Sequence, residues 1–493
     1  MIFRNFISRE DTTALRPLFL KAFLWNHAAK VAEYLFLYIF SLVVARKLGP
    51  STNGIYATLS SVAGLLLIAS SAGFDQALNK FLPAISREAG AESALRSIVR
   101  QLAGYKVILL AIFGLLLAAG WHLAAGWIDL PGAPREYLVF IIAVGSARAI
   151  TSLLASVWVS EFRPKVPFVI NTSIPLLQIC ALLWLSAGTL RLSGVLMIVL
   201  AGSLASLGAT IAASRGYLRP AEKRADTKEV LRFSRWLWLH TVMLYVLGKQ
   251  GDILLLSLFA VAKSTIGAYE VGFTVSQLPG FFLAAGMGGI SMAMFSKVAT
   301  ETPTGVAKFW RQVTGIFTKI MIPLYCFLFV FAREFITLLY SDAYRDSGFI
   351  LQILILSRIA ARLFSGGENF DTLIALGRER LAVMVYLAGG VLNLALALIL
   401  IPSHGITGAA VATGIALIFN DCASWVALRR HAGVSFQFPL WASSVIVGLF
   451  PALLIRAYLP TETIAELALY FILCTIVWVP ASAYLSPGGA AGE

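Results

Sequence analysis

Runs of about 20 apolar residues recur from Phe19 to Leu485, with only short polar breaks between them. Each run is long enough to cross a bilayer as a helix. With no water in hydrocarbon, such a segment must close its own backbone hydrogen bonds. Of 493 residues, 59% are hydrophobic and only 13% charged. That is too little charge to cover a soluble surface. The reading is an all-α polytopic membrane protein with about fourteen transmembrane helices. The first residues are polar and the apolar run after them is too long for a signal sequence, so no cleavable leader is expected. Cys180, Cys326, Cys422 and Cys474 all fall inside apolar runs and read as small hydrophobes, not as disulfides or a metal site.

The formal net charge of +14 is topological. With the N-terminus inside, cytoplasmic segments hold roughly 25 basic residues and outer loops roughly 8, which predicts both termini in the cytoplasm of a cell-membrane protein. The densest cluster is Arg215, Arg219, Lys223, Arg224, Lys228, Arg232 and Arg235, a connector that meets anionic headgroups or docks a partner. Nucleic acid is not an expected partner; membrane lipids are.

The chain also repeats itself about 213 residues apart. Gly54-Ile-Tyr56 recurs as Gly267-Ala-Tyr269, Arg100-Gln101 as Arg311-Gln312, Ala147-Arg148 as Ala361-Arg362, Arg163 and Lys165 as Arg378 and Arg380, and Ser193-Gly194 as Thr407-Gly408. The matches keep their order. Each copy holds six spans, an even number, so both insert in the same direction, related by a two-fold axis along the membrane normal. The expected division is a six-helix lobe at 1–215, a cytoplasmic linker at 216–235, a second six-helix lobe at 236–430, and two additional helices with a short tail at 431–493.

Charge inside a span costs about 2.5–3.5 kcal/mol on insertion scales, so each instance needs an account. Lys30 and Glu33 lie in the first span, Lys249 and Asp252 in the seventh. Each pair is spaced i, i+3 and shares a helical face. Such pairs line a polar cavity or fix helix packing. Glu270 follows Gly267-Ala-Tyr269 near the outer boundary, in a wet vestibule or a coupling site. Arg148 and Arg362 are repeat-equivalent and near mid-membrane, so an architectural role at a helix crossing competes with substrate contact. Glu368, Asn369 and Asp371 cluster near the inner end of the tenth span, as an inner gate or at the headgroups. Lys106 and Lys319 sit near cytoplasmic span ends and can snorkel. Pro279-Gly280, with Gly286, Gly288 and Gly289 beyond, is the most hinge-like stretch, and Pro175 and Pro323 permit further kinks. No Walker A, H-E-x-x-H or C-x-x-C pattern occurs, and no loop is long enough for a soluble catalytic domain. Neither enzyme chemistry, cofactor nor metal is indicated.

Ala45-Arg-Lys-Leu-Gly-Pro-Ser-Thr-Asn-Gly-Ile-Tyr56, then Ala72-Gly73-Phe74-Asp75 and Asn79-Lys-Phe-Leu-Pro83, resembles the start of Wzx-type polysaccharide flippases. These belong to the multidrug/oligosaccharidyl-lipid/polysaccharide exporter superfamily. Lys249-Gln-Gly-Asp252-Ile-Leu-Leu-Leu looks like its "G-Q-x-D-x-x-L-L" segment, with Lys249 where the family often has a neutral residue. Leu400-Ile-Pro402-Ser-His-Gly405-Ile-Thr-Gly408-Ala-Ala looks like its "L-I-P-x-x-G-I-x-G-A-A". The resemblance implies two lobes around a central cavity lined by the first, second, seventh and eighth spans. It implies a transporter that moves oligosaccharide repeat units on undecaprenyl pyrophosphate to the outer leaflet of a bacterial inner membrane by alternating access. On that reading Lys30 and Lys249 meet anionic groups, while Glu33 and Asp252 hold or release them or carry a coupling cation. A functional monomer is expected, working beside a polysaccharide polymerase and chain-length machinery. The alternatives are a cation-coupled multidrug antiporter of the same superfamily and a membrane polymerase or ligase.

Overall fold

The structure, a computed structural model, describes residues 15–85, 91–130, 132, 134–161, 165–185, 190–221, 226–284, 295, 298–299, 305–365 and 368–484. Arg163, Lys223, Arg224 and the glycines at 286, 288 and 289 lie outside the described residues.

Among the described residues the chain is helical throughout. The helices of the first half are α1 (Leu15–Ser71), α2 (Phe74–Ile85), α3 (Ala91–Ala119), α4 (Trp121–Trp127), α5 (Arg135–Ser160), α6 (Lys165–Leu185), α7 (Leu192–Ala213) and α8 (Arg215–Leu218). Those of the second are α9 (Lys228–Val246), α10 (Lys249–Leu258), α11 (Lys263–Ser276), α12 (Leu278–Ala284), α13 (Val306–Val330), α14 (Ala332–Leu339), α15 (Ser347–Arg362), α16 (Glu368–Ala375) and α17 (Glu379–Ala432). Two more follow, α18 (Phe438–Tyr458) and α19 (Ile464–Tyr484).

Eight of the described helices are long and apolar enough to cross a bilayer, or up to nine if each bent pair is one span. The shortfall from the expected count has a physical cause: several spans are broken or fused. A straight helix as long as α1 would measure about 85 Å against a hydrocarbon layer of about 30 Å. It is interrupted at Gly49 (φ 74°, ψ 170°). Glycine takes this left-handed φ without a Cβ clash, and Pro50 behind it suits a helix start, where its missing N–H has no partner to lose. Gly405 (φ 52°, ψ −129°), three residues after Pro402, breaks α17 in the same way. The α9–α10 pair bends by 62° around Gly248.

Large apolar side chains cover the outside: Leu115, Trp184, Met197, Ile399 and Phe450 are all well exposed. This surface suits hydrocarbon, and the chain is a multi-pass membrane protein. Inside the first half, Phe40, Val44, Leu59, Phe140, Ile141, Val144, Ile179 and Val199 form one core. Inside the second, Phe309, Trp310, Tyr325, Leu351, Ile355 and Trp425 belong to another. Helices α18 and α19 pack on α13.

The halves meet where α1 lies along α11. A Cβ on Gly54 would stand 1.8 Å from the carbonyl oxygen of Lys263, and one on Gly267 would stand 2.1 Å from that of Pro50. Each glycine therefore lets the other's helix in. Gly54 and Gly267 are the pair that the sequence repeat equates, and each lies against the other's helix. Small residues at such a crossing let helix backbones approach in a membrane. At the other end of the seam, Gly73 (φ +72°) presses on α9, where a Cβ would be 2.1 Å from the Ser234 carbonyl oxygen. Trp238 Nε1 donates to the Ile68 carbonyl at 3.0 Å, and Gln76 Nε2 to Thr241 Oγ1 at 2.9 Å. Gly54→Val and Gly267→Val should each force α1 from α11. Maleimide labelling of a cysteine placed at the buried Thr58 should rise several-fold in both, and unchanged labelling would count against so tight a crossing.

Candidate functional site

Intramembrane charge lies in both halves, with the Lys249–Glu270 pair at the seam. In α1, Lys30 Nζ reaches Glu33 Oε2 at 2.8 Å, one turn away. The other Glu33 oxygen accepts from Asn171 Nδ2 of α6 at 3.3 Å. This pair is the one the i, i+3 spacing predicts, with an amide added from another helix.

The second predicted pair does not form. Lys249 opens α10 just past the 62° bend, and its ammonium turns to α11, meeting Glu270 Oε1 at 2.7 Å and Thr274 Oγ1 at 2.8 Å. Thr274 also donates to Glu270 Oε1 at 2.9 Å. Asn53 Nδ2 of α1 donates to Glu270 Oε2 at 3.3 Å, across the seam. Glu270 is thus buried and fully engaged, a different setting from the expected wet vestibule. Asp252 points the other way, into the second half, and is fully buried. Its Oδ2 accepts from Tyr269 OH at 2.5 Å and from Thr413 Oγ1 at 2.7 Å, while Oδ1 meets no hydrogen-bond donor. Thr413 lies 3.4 Å from Asn393 Oδ1, and Asn393 Nδ2 donates to the Val246 carbonyl at 2.9 Å. Lys249 and Asp252 share the first turn of α10, and they part because α11 offers Glu270 to the one and Tyr269, with Thr413 of α17, to the other.

The two repeat-equivalent arginines also differ. Arg362 is buried and holds Glu368 through both guanidinium arms at 2.9–3.2 Å. It also lies 5.5 Å from the centre of the Phe317 ring and contacts the Thr314 carbonyl at 3.4 Å. Glu368 is therefore buried in an ion pair and does not reach headgroups. Beside it, Asn369 joins Trp310 Nε1 (2.9 Å) to the Phe364 carbonyl (2.7 Å), and Asp371 is half-buried on the same helix. Arg148 is exposed on α5. Arg362 is thus in an internal ion pair, and Arg148 has none among the described residues.

Lys106, expected to snorkel, is fully buried in α3 and binds Asp75 at 2.8 Å. Ser152 Oγ donates to the other Asp75 oxygen at 2.6 Å. Asp75 stands in the quoted Ala72-Gly73-Phe74-Asp75 stretch, where its acid could have been matched to the orphan lysine. At the hinge-like stretch, α11 ends at Ser276 and α12 starts at Leu278, so the backbone breaks directly before Pro279-Gly280. Phe281 of α12 stacks on Tyr34 of α1 at 4.8 Å. Among the described residues no three His, Cys, Asp or Glu converge as metal ligands.

A common rule emerges from these pairs. Lys30–Glu33, Lys106–Asp75, Lys249–Glu270 and Arg362–Glu368 each lie within one half of the chain, and Arg456–Glu334 joins the added α18 to α14 of the second. Contacts across the seam include the neutral pairs Thr58 with Ser257 at 3.0 Å, Tyr245 OH to the Ser61 carbonyl at 2.7 Å and Tyr344 OH to the Ala45 carbonyl at 2.8 Å, and also bonds with a charged member, Asn53 to Glu270 and Lys263 Nζ to the Ile128 carbonyl at 2.7 Å. Lys249→Met and Glu270→Gln should each lower thermal stability. The double variant should fall short of their sum by about 0.5–3 kcal/mol, and strict additivity in unfolding measurements would dissolve the pair.

Residues 43–348 match the family described as "Polysaccharide biosynthesis protein". A probable low-salt glycan biosynthesis flippase of Haloferax volcanii is 22% identical over 410 residues, covering 80% of each chain. The lipid II flippase MurJ in an inward closed conformation shares the fold with a TM-score of 0.72 at 14% identity, over 95% of this chain and 98% of that one. An inward-facing multidrug resistance MATE family transporter of the MOP superfamily matches with a TM-score of 0.66 at 12% identity, over 82% and 94%. The fold is that of these transporters, and, with more than half of its length matched, the chain belongs to the polysaccharide biosynthesis protein family.

Proposed function

We propose that this protein is a flippase that carries a glycan on undecaprenyl pyrophosphate from the inner to the outer leaflet of a bacterial cell membrane. Residues 1–215 and 236–430 act as two lobes that rock about the α1–α11 crossing, and 431–493 stays outside the exchange. The observation that carries the reading is the seam: two helices held by glycines, with polar side chains along an interface inside an apolar protein. Sugars and pyrophosphate cannot cross hydrocarbon unaided, whereas the lipid tail can remain in it. A polar seam between two lobes supplies the headgroup's route. If the inside is negative, moving two negative charges outward gains about 4–5 kcal/mol per 100 mV. The substrate is then handed to a polymerase and chain-length machinery on the far side, and the protein works as a monomer with both termini in the cytoplasm.

Asp252 supports ion coupling within this reading. It is fully buried, it holds two hydroxyl donors, and it keeps one oxygen without a donor. A buried carboxylate in that state can take up and release a proton or a cation as the lobes move. The same residue would serve a multidrug antiporter, whose fold this chain shares.

Cells lacking the protein should accumulate lipid-linked glycan on the inner leaflet. Normal surface polysaccharide without accumulation would sink the flippase reading, and altered drug resistance in its place would favour the antiporter. Asp252→Asn should leave membrane abundance unchanged and abolish the dependence of transport on the ion gradient. Transport in vesicles that still follows the gradient would remove Asp252 from coupling.

A further inference from the structure

We infer that Arg148 is a phosphate-contacting residue, the cation that meets the pyrophosphate of the lipid-linked substrate. This rests on the flippase reading above and names the residue that would recognise the anion.

The argument starts from the repeat. Arg148 and Arg362 are the same residue at the same place in two copies of one fold. Arg362 is neutralised: Glu368, six residues on, takes both guanidinium arms. The offset that equates the arginines equates Glu368 with Leu154, and the offset of the next match equates it with Leu153. Both leucines are buried and apolar. The first copy therefore keeps the arginine and lacks the acid.

Other intramembrane cations follow the same contrast. Lys30, Lys106, Lys249 and Arg362 hold carboxylates at 2.7–2.9 Å. Arg358, in the second half, has no ion pair among the described residues either, and its Nε is buried without a hydrogen-bond partner there. Among the described residues Arg148 has neither an ion pair nor a hydrogen bond within the protein.

Its placement fits a ligand. Arg148 lies about 20 Å along α5 from the Arg135 end, near the middle of a hydrocarbon layer of about 30 Å. Helix α5 is packed against α1, α2, α3, α6 and α7, so it is central to its half. One turn before the arginine, a Cβ on Gly145 would stand 2.8 Å from the Ala63 carbonyl oxygen of α1, and the exposed Arg148 flanks that contact on α5. A bare guanidinium at this depth is costly, and a doubly charged phosphoanion is the partner its planar fork fits. Lys30 and Lys249, the cations first expected to meet that anion, are already held by Glu33 and Glu270.

The test uses the full chain in nanodiscs, titrated with undecaprenyl pyrophosphate, undecaprenyl phosphate and undecaprenol, with bound lipid counted by native mass spectrometry. The wild type should prefer the pyrophosphate. Arg148→Met should weaken pyrophosphate binding by about tenfold or more, leaving undecaprenol binding and the unfolding temperature unchanged. Arg148→Lys, which keeps the charge without the fork, should fall between them. Arg362→Met should instead lower the unfolding temperature. Wild-type pyrophosphate affinity in Arg148→Met would overturn the assignment of Arg148 alone. Failure of Arg148→Met to fold would make the residue structural and overturn it too. A wild type that binds undecaprenol as well as the pyrophosphate would remove the flippase reading along with it.

Discussion

Two glycines facing each other set how closely the two halves of the chain meet. Gly54 and Gly267 allow α1 and α11 to meet backbone to backbone, closer than any side chain permits. Hydrophobic burial cannot drive helices together in lipid, because the tails are as apolar as the side chains. Close packing and hydrogen bonds must do it. The glycine contact lets Asn53 reach Glu270 and Thr58 reach Ser257, so the polar contacts of the seam follow from the absence of two Cβ atoms.

Duplication gives the frame, and departure from it gives the chemistry. The repeat places an arginine at equivalent points of α5 and α15, yet only one copy supplies the acid that neutralises it. The turn at Gly49 recurs near Ala260, which takes φ 52° without being glycine. Two copies of one fold can thus share a backbone corner and a crossing while differing in where charge is left bare. A symmetric scaffold carrying an asymmetric set of charges suits a ligand that is itself asymmetric.

Much of this was legible in the sequence. Apolar runs required membrane helices, and Gly54 and Gly267 stood out through the repeat before their contact was known. The Lys30–Glu33 spacing pointed to a pair that the structure contains. Other features were hidden for definable reasons. Lys249 and Asp252 share the first turn of α10, but the groups that take them come from α11 and α17, which helical spacing does not encode. The Lys106–Asp75 pair joins helices whose packing no local pattern encodes. Asn53, Asn171, Thr274, Asn393 and Thr413 are ordinary polar residues until the fold brings a carboxylate to each group. The bareness of Arg148 is a fact about its neighbours, invisible from its own position.

The confinement of each ion pair to one half has a kinetic meaning. Breaking a buried ion pair by removing one partner costs about 3–5 kcal/mol, and a motion that split several would be slow. Here Glu270 can lose Asn53 and keep Lys249 and Thr274, so its charge stays compensated while the seam parts. What must rupture instead includes neutral bonds such as Thr58–Ser257, which net about 1 kcal/mol, and the bonds of Asn53 to the Glu270 carboxylate and of the Lys263 ammonium to the Ile128 carbonyl, which net about 1.5–3 kcal/mol each. Were the two halves to part, these bonds would set the cost, and none of the ion pairs named above would be split.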